Sequence, residues 1–145
     1  MKYDETELLV RFNEVDSWGM VWHGHYIAWF EVGRQALMRK FRLLPGDFTQ
    51  MGYTAPVVDL KCVFKEPARL HDEILVHTTV LKPTKAALTF RFQILRKSDG
   101  KLLASGEETQ VLVTLDGRML YILPQDLRER LQPLFDYLDE PDSAA

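Results

Sequence analysis

Apolar residues recur at helical spacing in the first third of the chain. Tyr26, Phe30, Gly33, Leu37 and Phe41 follow one another at steps of four, three, four and four. That spacing predicts one face of a helix running from about His25. Arg34, Gln35, Arg39 and Lys40 mostly mark its other faces, and Pro45-Gly46 ends the element. Gly33 inside a helix costs about 1 kcal/mol relative to Ala. Close approach of another backbone would compensate, so the helix is expected to be wrapped on most sides. Such wrapping also accounts for Ala28 and Val32, which are apolar but lie outside the main stripe.

Other segments read as extended. Residues 5–13, "ETELLVRFN", suit a short strand. In "VVDLKCVFK", Val58, Leu60, Cys62 and Phe64 alternate with their neighbours; in "EILVHTTVL", Ile74, Val76 and Val80 share a face. In "AALTFRFQIL" the shared face is Leu88, Phe90, Phe92 and Ile94, and "KLLASGEETQVLVTL" is a long strand with Gly106 as a bulge. Asp99-Gly100 is a hairpin turn signal. Pro124 opens a last helix, 124–138, with Leu127, Leu131 and Leu134 on one side. Strand, long helix, four strands, helix is an α+β order in which an antiparallel sheet curls round the first helix.

At 145 residues and 46% hydrophobic, the chain reads as a single domain over 1–138. The segment 139–145, acidic and small, reads as a disordered tail. The net charge of -3 and the lack of a basic run argue against a nucleic-acid partner. No apolar run is long enough for a membrane span, and the N-terminus is not a signal peptide, so a soluble cytoplasmic protein is expected. The lone Cys62 forms no internal disulfide and reads as a core residue.

The chemistry concentrates in "VDSWGMVWHGHY", Val15 to Tyr26. Asp16 alone could be a turn or N-cap residue. Its surroundings point further. It follows a strand, Gly19 permits a sharp path, and Trp18, Met20, Val21 and Trp22 are apolar. A carboxylate partly desolvated among such groups is a better base. His23 stands just before the helix, where free N–H groups and partial positive charge stabilise a developing oxyanion. Base and electrophilic site thus come from one loop. His23 and His25 could instead suggest a metal, but no further ligand stands nearby at a suitable spacing. The nucleophile elbow, phosphate-binding loop and dinucleotide fingerprint are absent.

The run "RFNEVDSWGMVWHGHYIAWFEVGRQALM" resembles the hotdog-fold acyl-CoA thioesterases, above all the 4-hydroxybenzoyl-CoA and Tol–Pal-associated groups. The matching positions are Asp16, Gly19, Val21, Trp22, His23 and Tyr26, and the likeness spans roughly residues 5–115. It implies a hotdog fold and hydrolysis of an acyl-CoA thioester without metal or cofactor. Asp16 would be the catalytic base or nucleophile, the N–H groups at His23 and Gly24 would hold the carbonyl, and the His23 side chain would assist. Tol–Pal-associated members carry Tyr where this chain has Phe12, so a role for that hydroxyl is lost. Lys82 and Lys85, in "LKPTKA", match a turn that holds CoA phosphates in the 4-hydroxybenzoyl enzyme, although solvated surface lysines would look the same. Some relatives use a helix carboxylate as base, which makes Glu31 a rival to Asp16; Glu31 and Arg34 are also spaced for a local ion pair. The family joins sheets edge to edge, so a homodimer or homotetramer is expected, with Val58 or Lys82 of one chain meeting Asp16 of another.

Trp18 and Trp22 either line the acyl pocket or belong to the core or an interface. Two other functions are weighed. A hotdog dehydratase would carry a His-x-x-x-Gly-x-Pro pattern before the helix, and this chain lacks it. A non-catalytic module that binds acyl thioesters stays open, because a fold does not confer activity.

Overall fold

The computed structural model describes residues 2–141. β1 (Asp4–Leu9) leads through a 3₁₀ turn (Phe12–Glu14) into α1 (Gly24–Arg39). Then come α2 (Pro45–Met51), β2 (Tyr53–Thr54), β3 (Val57–Phe64), β4 (Glu73–Val80), β5 (Ala87–Arg96), β6 (Leu102–Val111), β7 (Val113–Thr114) and α3 (Gln125–Asp139). The main sheet is antiparallel in the order β1-β4-β5-β6-β3, and β2 and β7 form a separate ribbon. α1 packs on β1, β4 and β5. This is the α+β hotdog arrangement.

The helical face read from the sequence is the buried one. Tyr26, Phe30, Gly33 and Leu37 are buried, together with Trp29 and Met38. Phe30 stacks on Phe92 of β5 with ring centroids 4.5 Å apart. A Cβ at Gly33 would lie 2.6 Å from Val76 Cγ1 and 2.4 Å from Thr78 Oγ1, so this glycine admits the side chains of β4 rather than a backbone. The helix is not wrapped on most sides: Ala28 and Val32 are exposed, because only its inner face meets the sheet.

Other expectations are also corrected. β1 ends at Leu9, because the chain then turns through Phe12–Glu14, where Arg11 N donates to Glu14 Oε1 at 2.8 Å. Pro45 opens α2 instead of ending α1; a proline costs nothing in a first turn, where its missing N–H would have no intrahelical acceptor. Gly106 is not a bulge. It pairs in register with Cys62 and Phe92, and a Cβ there would lie 2.4 Å from the Phe30 ring. The register shifts fall instead between Val57 and Asp59 and between Ile94 and Leu95.

β3 departs most from the alternating pattern. Val57, Val58, Leu60, Val63 and Phe64 are all exposed, and Cys62 is half-buried. The strand is an edge of the sheet, away from the strands that α1 covers. At the opposite edge α3 is tied down: Lys2 N donates to Leu138 O at 2.8 Å, and Tyr137 Oη donates to the buried Asp4 Oδ1 at 2.7 Å. Asp139 still belongs to α3, whereas residues 142–145 of the expected tail lie outside the described residues. Among the described residues no helix is long and apolar enough to cross a membrane.

Candidate active site

Asp16 sits in a tight loop between Val15 and Val21, which pair in an antiparallel bridge. Asp16 N donates to Met20 O at 2.8 Å, and Gly19 N donates to Asp16 O at 3.0 Å. Gly19 has φ +76, a left-handed conformation that glycine adopts without a Cβ penalty. The side chain is held as well: Asp16 Oδ1 accepts from Trp18 N at 2.9 Å and Met20 N at 3.3 Å. Among the described residues Oδ2 has no hydrogen-bond partner. Backbone donors thus fix one carboxylate oxygen and, among the described residues, leave the other unpartnered.

The facing wall comes from the loop after β3. Met20 bridges to Arg69, Val21 N donates to Ala68 O at 2.9 Å, and Ala68 N donates to the Tyr26 hydroxyl at 2.9 Å. These bonds clip residues 64–67 beside the Asp16 loop. The open cleft between them is lined by Asp16, Trp18, Met20, His23, Phe64 and Lys65, among others.

His23 stands immediately before α1. Its ring packs on Trp22, centroids 4.8 Å apart, and edge-on to Phe64 at 6.3 Å. Among the described residues no backbone acceptor takes the N–H of His23 or Gly24. The Trp22 ring lies so close over this first turn that a Cβ on Gly24 would come within 2.1 Å of it. Trp18 and Trp22 are 79% and 51% exposed, so neither belongs to this chain's core.

One chain therefore brings Asp16, Trp18 and His23 to a single cleft, with Gly24 and Trp22 at its edge. It does not bring Val58, Lys82 or Lys85 there. Val58 lies on the exposed edge of β3, Lys82 Nζ is 2.8 Å from Asp139 Oδ2 of α3, and Lys85 is exposed before β5. Glu31 is not in the cleft either. Its carboxylate pairs with Arg34, which also pairs with the buried Glu108 of β6. Burial pushes the Glu108 carboxyl above its ordinary range, and the Arg34 charge opposes this only in part.

Two contributors were missed in the sequence. Lys65 lines the cleft, but nothing in its local pattern sets it apart from other surface lysines. Glu14 is 2% exposed. Its Oε1 accepts from Arg11 N, its Oε2 accepts from Trp29 Nε1 at 2.9 Å, and its carbonyl accepts from Trp22 N at 2.9 Å. Burial pushes its carboxyl up, but hydrogen bonds from Arg11 and Trp29 outweigh this and hold it below the ordinary range. Among the described residues no cluster of three or more His, Cys, Asp or Glu is placed to hold a metal.

Known proteins resemble this chain in sequence and in fold. The family model of the thioesterase-like superfamily matches residues 10–131. A Bacillus subtilis protein with the provisional name acyl-CoA thioesterase YneP is 36% identical over 80 residues, 55% of this chain and 58% of that protein. The match thus spans less than two thirds of that relative. The crystal structure of a DHNA-CoA thioesterase from Staphylococcus aureus superposes with a TM-score of 0.80 at 25% identity, covering 97% of this chain and 98% of that one. Slr0204, a 1,4-dihydroxy-2-naphthoyl-CoA thioesterase from Synechocystis, superposes with a TM-score of 0.82 at 20% identity over 96% and 99% of the two chains, a likeness of fold. With its family model matched over most of its length, the chain belongs to the thioesterase-like superfamily.

Proposed function

We propose that this protein is an acyl-CoA thioesterase in which Asp16 is the base or nucleophile and the start of α1 polarises the thioester carbonyl. One observation carries the reading. A carboxylate with one oxygen fixed and the other unpartnered lies on the same cleft as a helix start whose N–H groups at His23 and Gly24 are free. The N–H groups would accept the charge that develops on the carbonyl oxygen. If Asp16 acts as base, it takes a proton from water, the water oxygen bonds to the carbonyl carbon, and the C–S bond breaks to release CoA thiolate and the acid. If it acts as nucleophile, its oxygen forms that bond first, the C–S bond breaks to release CoA thiolate, and water then cleaves the mixed anhydride into the acid and the free Asp16 carboxyl group. Exposed on the cleft, the His23 ring would assist either route.

The apolar side chains Trp18, Met20 and Phe64 on the cleft favour an aromatic or aliphatic acyl group over one ending in a carboxylate, whose charge is costly to desolvate. The names of the relatives point the same way, two being thioesterases of an aromatic acyl-CoA. The sequence resemblance to the 4-hydroxybenzoyl-CoA thioesterase group is compatible with an aromatic acyl group. Lys65, and the partner copy's Lys82 and Lys85, would meet the phosphates of CoA. That partner would pair along the edge of β3, where Phe64 ends beside the cleft.

Thiol release from a panel of acetyl-, hexanoyl-, decanoyl-, benzoyl-, 1,4-dihydroxy-2-naphthoyl- and succinyl-CoA tests this. Aromatic or longer aliphatic substrates should give the highest kcat/KM, and Asp16→Asn should abolish turnover while leaving thermal unfolding unchanged. Binding without thiol release would make the protein a non-catalytic module. Full turnover by Asp16→Asn, with loss in Glu31→Gln, would transfer the role to Glu31.

A further inference from the structure

We propose that Glu14 is a positioning residue that sets the separation between Asp16 and the first turn of α1. The proposal rests on the reading of those two elements as the reacting site. Glu14 lies two positions before Asp16 and is buried at 2% exposure, and it does not line the cleft. Its hydrogen bonds run to both sides of the site. The carbonyl takes Trp22 N, just ahead of the free N–H groups at His23 and Gly24. The carboxylate takes Arg11 N on the approach to the Asp16 loop and Trp29 Nε1 inside α1. A single residue therefore fastens the loop strand, the helix start and the helix body to one another.

The chemistry calls for a carboxylate and not merely a polar group. Two N–H groups donate to the side chain, one to each oxygen, and Arg11 Nε lies 3.6 Å from Oε1. A carboxylate offers an acceptor to each. An amide offers one oxygen and one NH₂, so Glu14→Gln confronts one buried N–H with another donor. The chain must shift to relieve this, and the shift falls between Asp16 and α1. The charge that pairs with Arg11 is lost as well, but Glu14 does not line the cleft, so its effect on the reacting groups runs through geometry. A displacement of about 1 Å at a reacting site is enough to cost on the order of 100-fold in rate.

The test is hydrolysis kinetics of Glu14→Gln, Trp29→Phe and the double variant, beside Asp16→Asn. Glu14→Gln should lower kcat about 10- to 100-fold and leave KM within about threefold, because orientation and not binding is lost. Trp29→Phe removes the same bond from the other end and should also lower kcat. The double variant should cost less than the two single losses combined, since Trp29→Phe removes one of the links that Glu14→Gln disturbs. Indole N–H exchange by NMR supplies a readout apart from activity. In the wild-type protein the Trp29 signal should exchange slowly, with Trp18 and Trp22 exchanging fast, and in folded Glu14→Gln that protection should fall. Should Glu14→Gln fail to fold, Trp29→Phe alone decides. Unchanged kcat in folded variants, an effect on KM only, or full additivity would overturn the positioning role. Full turnover by Asp16→Asn would overturn the site reading and this proposal together, whereas an inactive Asp16→Asn beside a fully active Glu14→Gln would overturn only the latter.

Discussion

Gly33 and Gly106 are both glycines inside regular elements, and they were not equally legible. A glycine within an amphipathic helix carries a known cost, so its presence announces that something comes close. In the protein that something is Val76 and Thr78 of β4. A glycine in a strand is ambiguous, because a bulge and a ring packed against the backbone both ask for it. The Phe30 ring decides at Gly106, and Phe30 is far away in sequence. Gly33→Ala brings two effects into opposition. Helix propensity favours Ala by about 1 kcal/mol. Overpacking against a β-branched valine costs about 1–3 kcal/mol. The clash should prevail, so denaturant titration of Gly33→Ala should show a net loss of stability. A gain would mean that β4 yields freely to α1.

At the scale of elements, α1 is joined to β6 by Arg34, whose guanidinium pairs with both Glu31 and Glu108. Arg34 and Glu108 side chains are 14% and 2% exposed, so this is a buried pair and not a surface one. Removing one partner strands the other's charge, and Arg34→Ala should cost about 3–5 kcal/mol. The joint replacement Arg34→Met with Glu108→Leu should cost far less, because the charge left behind, on Glu31, reaches solvent. The pH dependence has a definite sign. The folded Glu108 carboxyl is already raised by burial, so the stability it contributes is present at low pH and lost as pH rises through its folded value. Without Arg34 that loss deepens. Thermal unfolding of Arg34→Ala should therefore lie nearer to wild type at acidic pH than at neutral pH, and a pH-independent deficit would show that the pair is solvent-screened. The Glu31–Arg34 contact was readable from helical spacing, but Glu108 was not, since its register against α1 depends on the whole sheet.

For the molecule as a whole, β3 is the open question the fold poses. Among the described residues its outer edge pairs with no other strand, and five large apolar residues along it are exposed. A long apolar edge invites strand pairing with a second copy. Light scattering should accordingly give at least twice the 16.9 kDa chain mass. Leu60→Lys should weaken the assembly, and it should lower activity in parallel if the partner completes the cleft near Phe64. A fully active monomer would remove the partner from the site. The same edge explains why the alternating pattern of β3 did not translate into burial. Alternation reports two chemically distinct faces, and among the described residues neither face of β3 is well covered.

Local order alone determined much of this protein. The buried stripe of α1, the strands that follow, the turn at Asp99-Gly100 and the Asp16–His23 loop all arise from residues close in sequence. Periodicity, turn preference and helix-end chemistry act over a few covalent neighbours, so one chain read in isolation carries them. Tertiary structure decided the rest. It brought residues 64–67 opposite Asp16, set Glu14 under Trp29, placed Phe30 on Gly106 and gave Lys82 to Asp139. Each of these joins residues 15 or more positions apart. Such contacts follow from strand order and register, which are chosen by the burial of the entire core and leave no trace in the spacing of either partner.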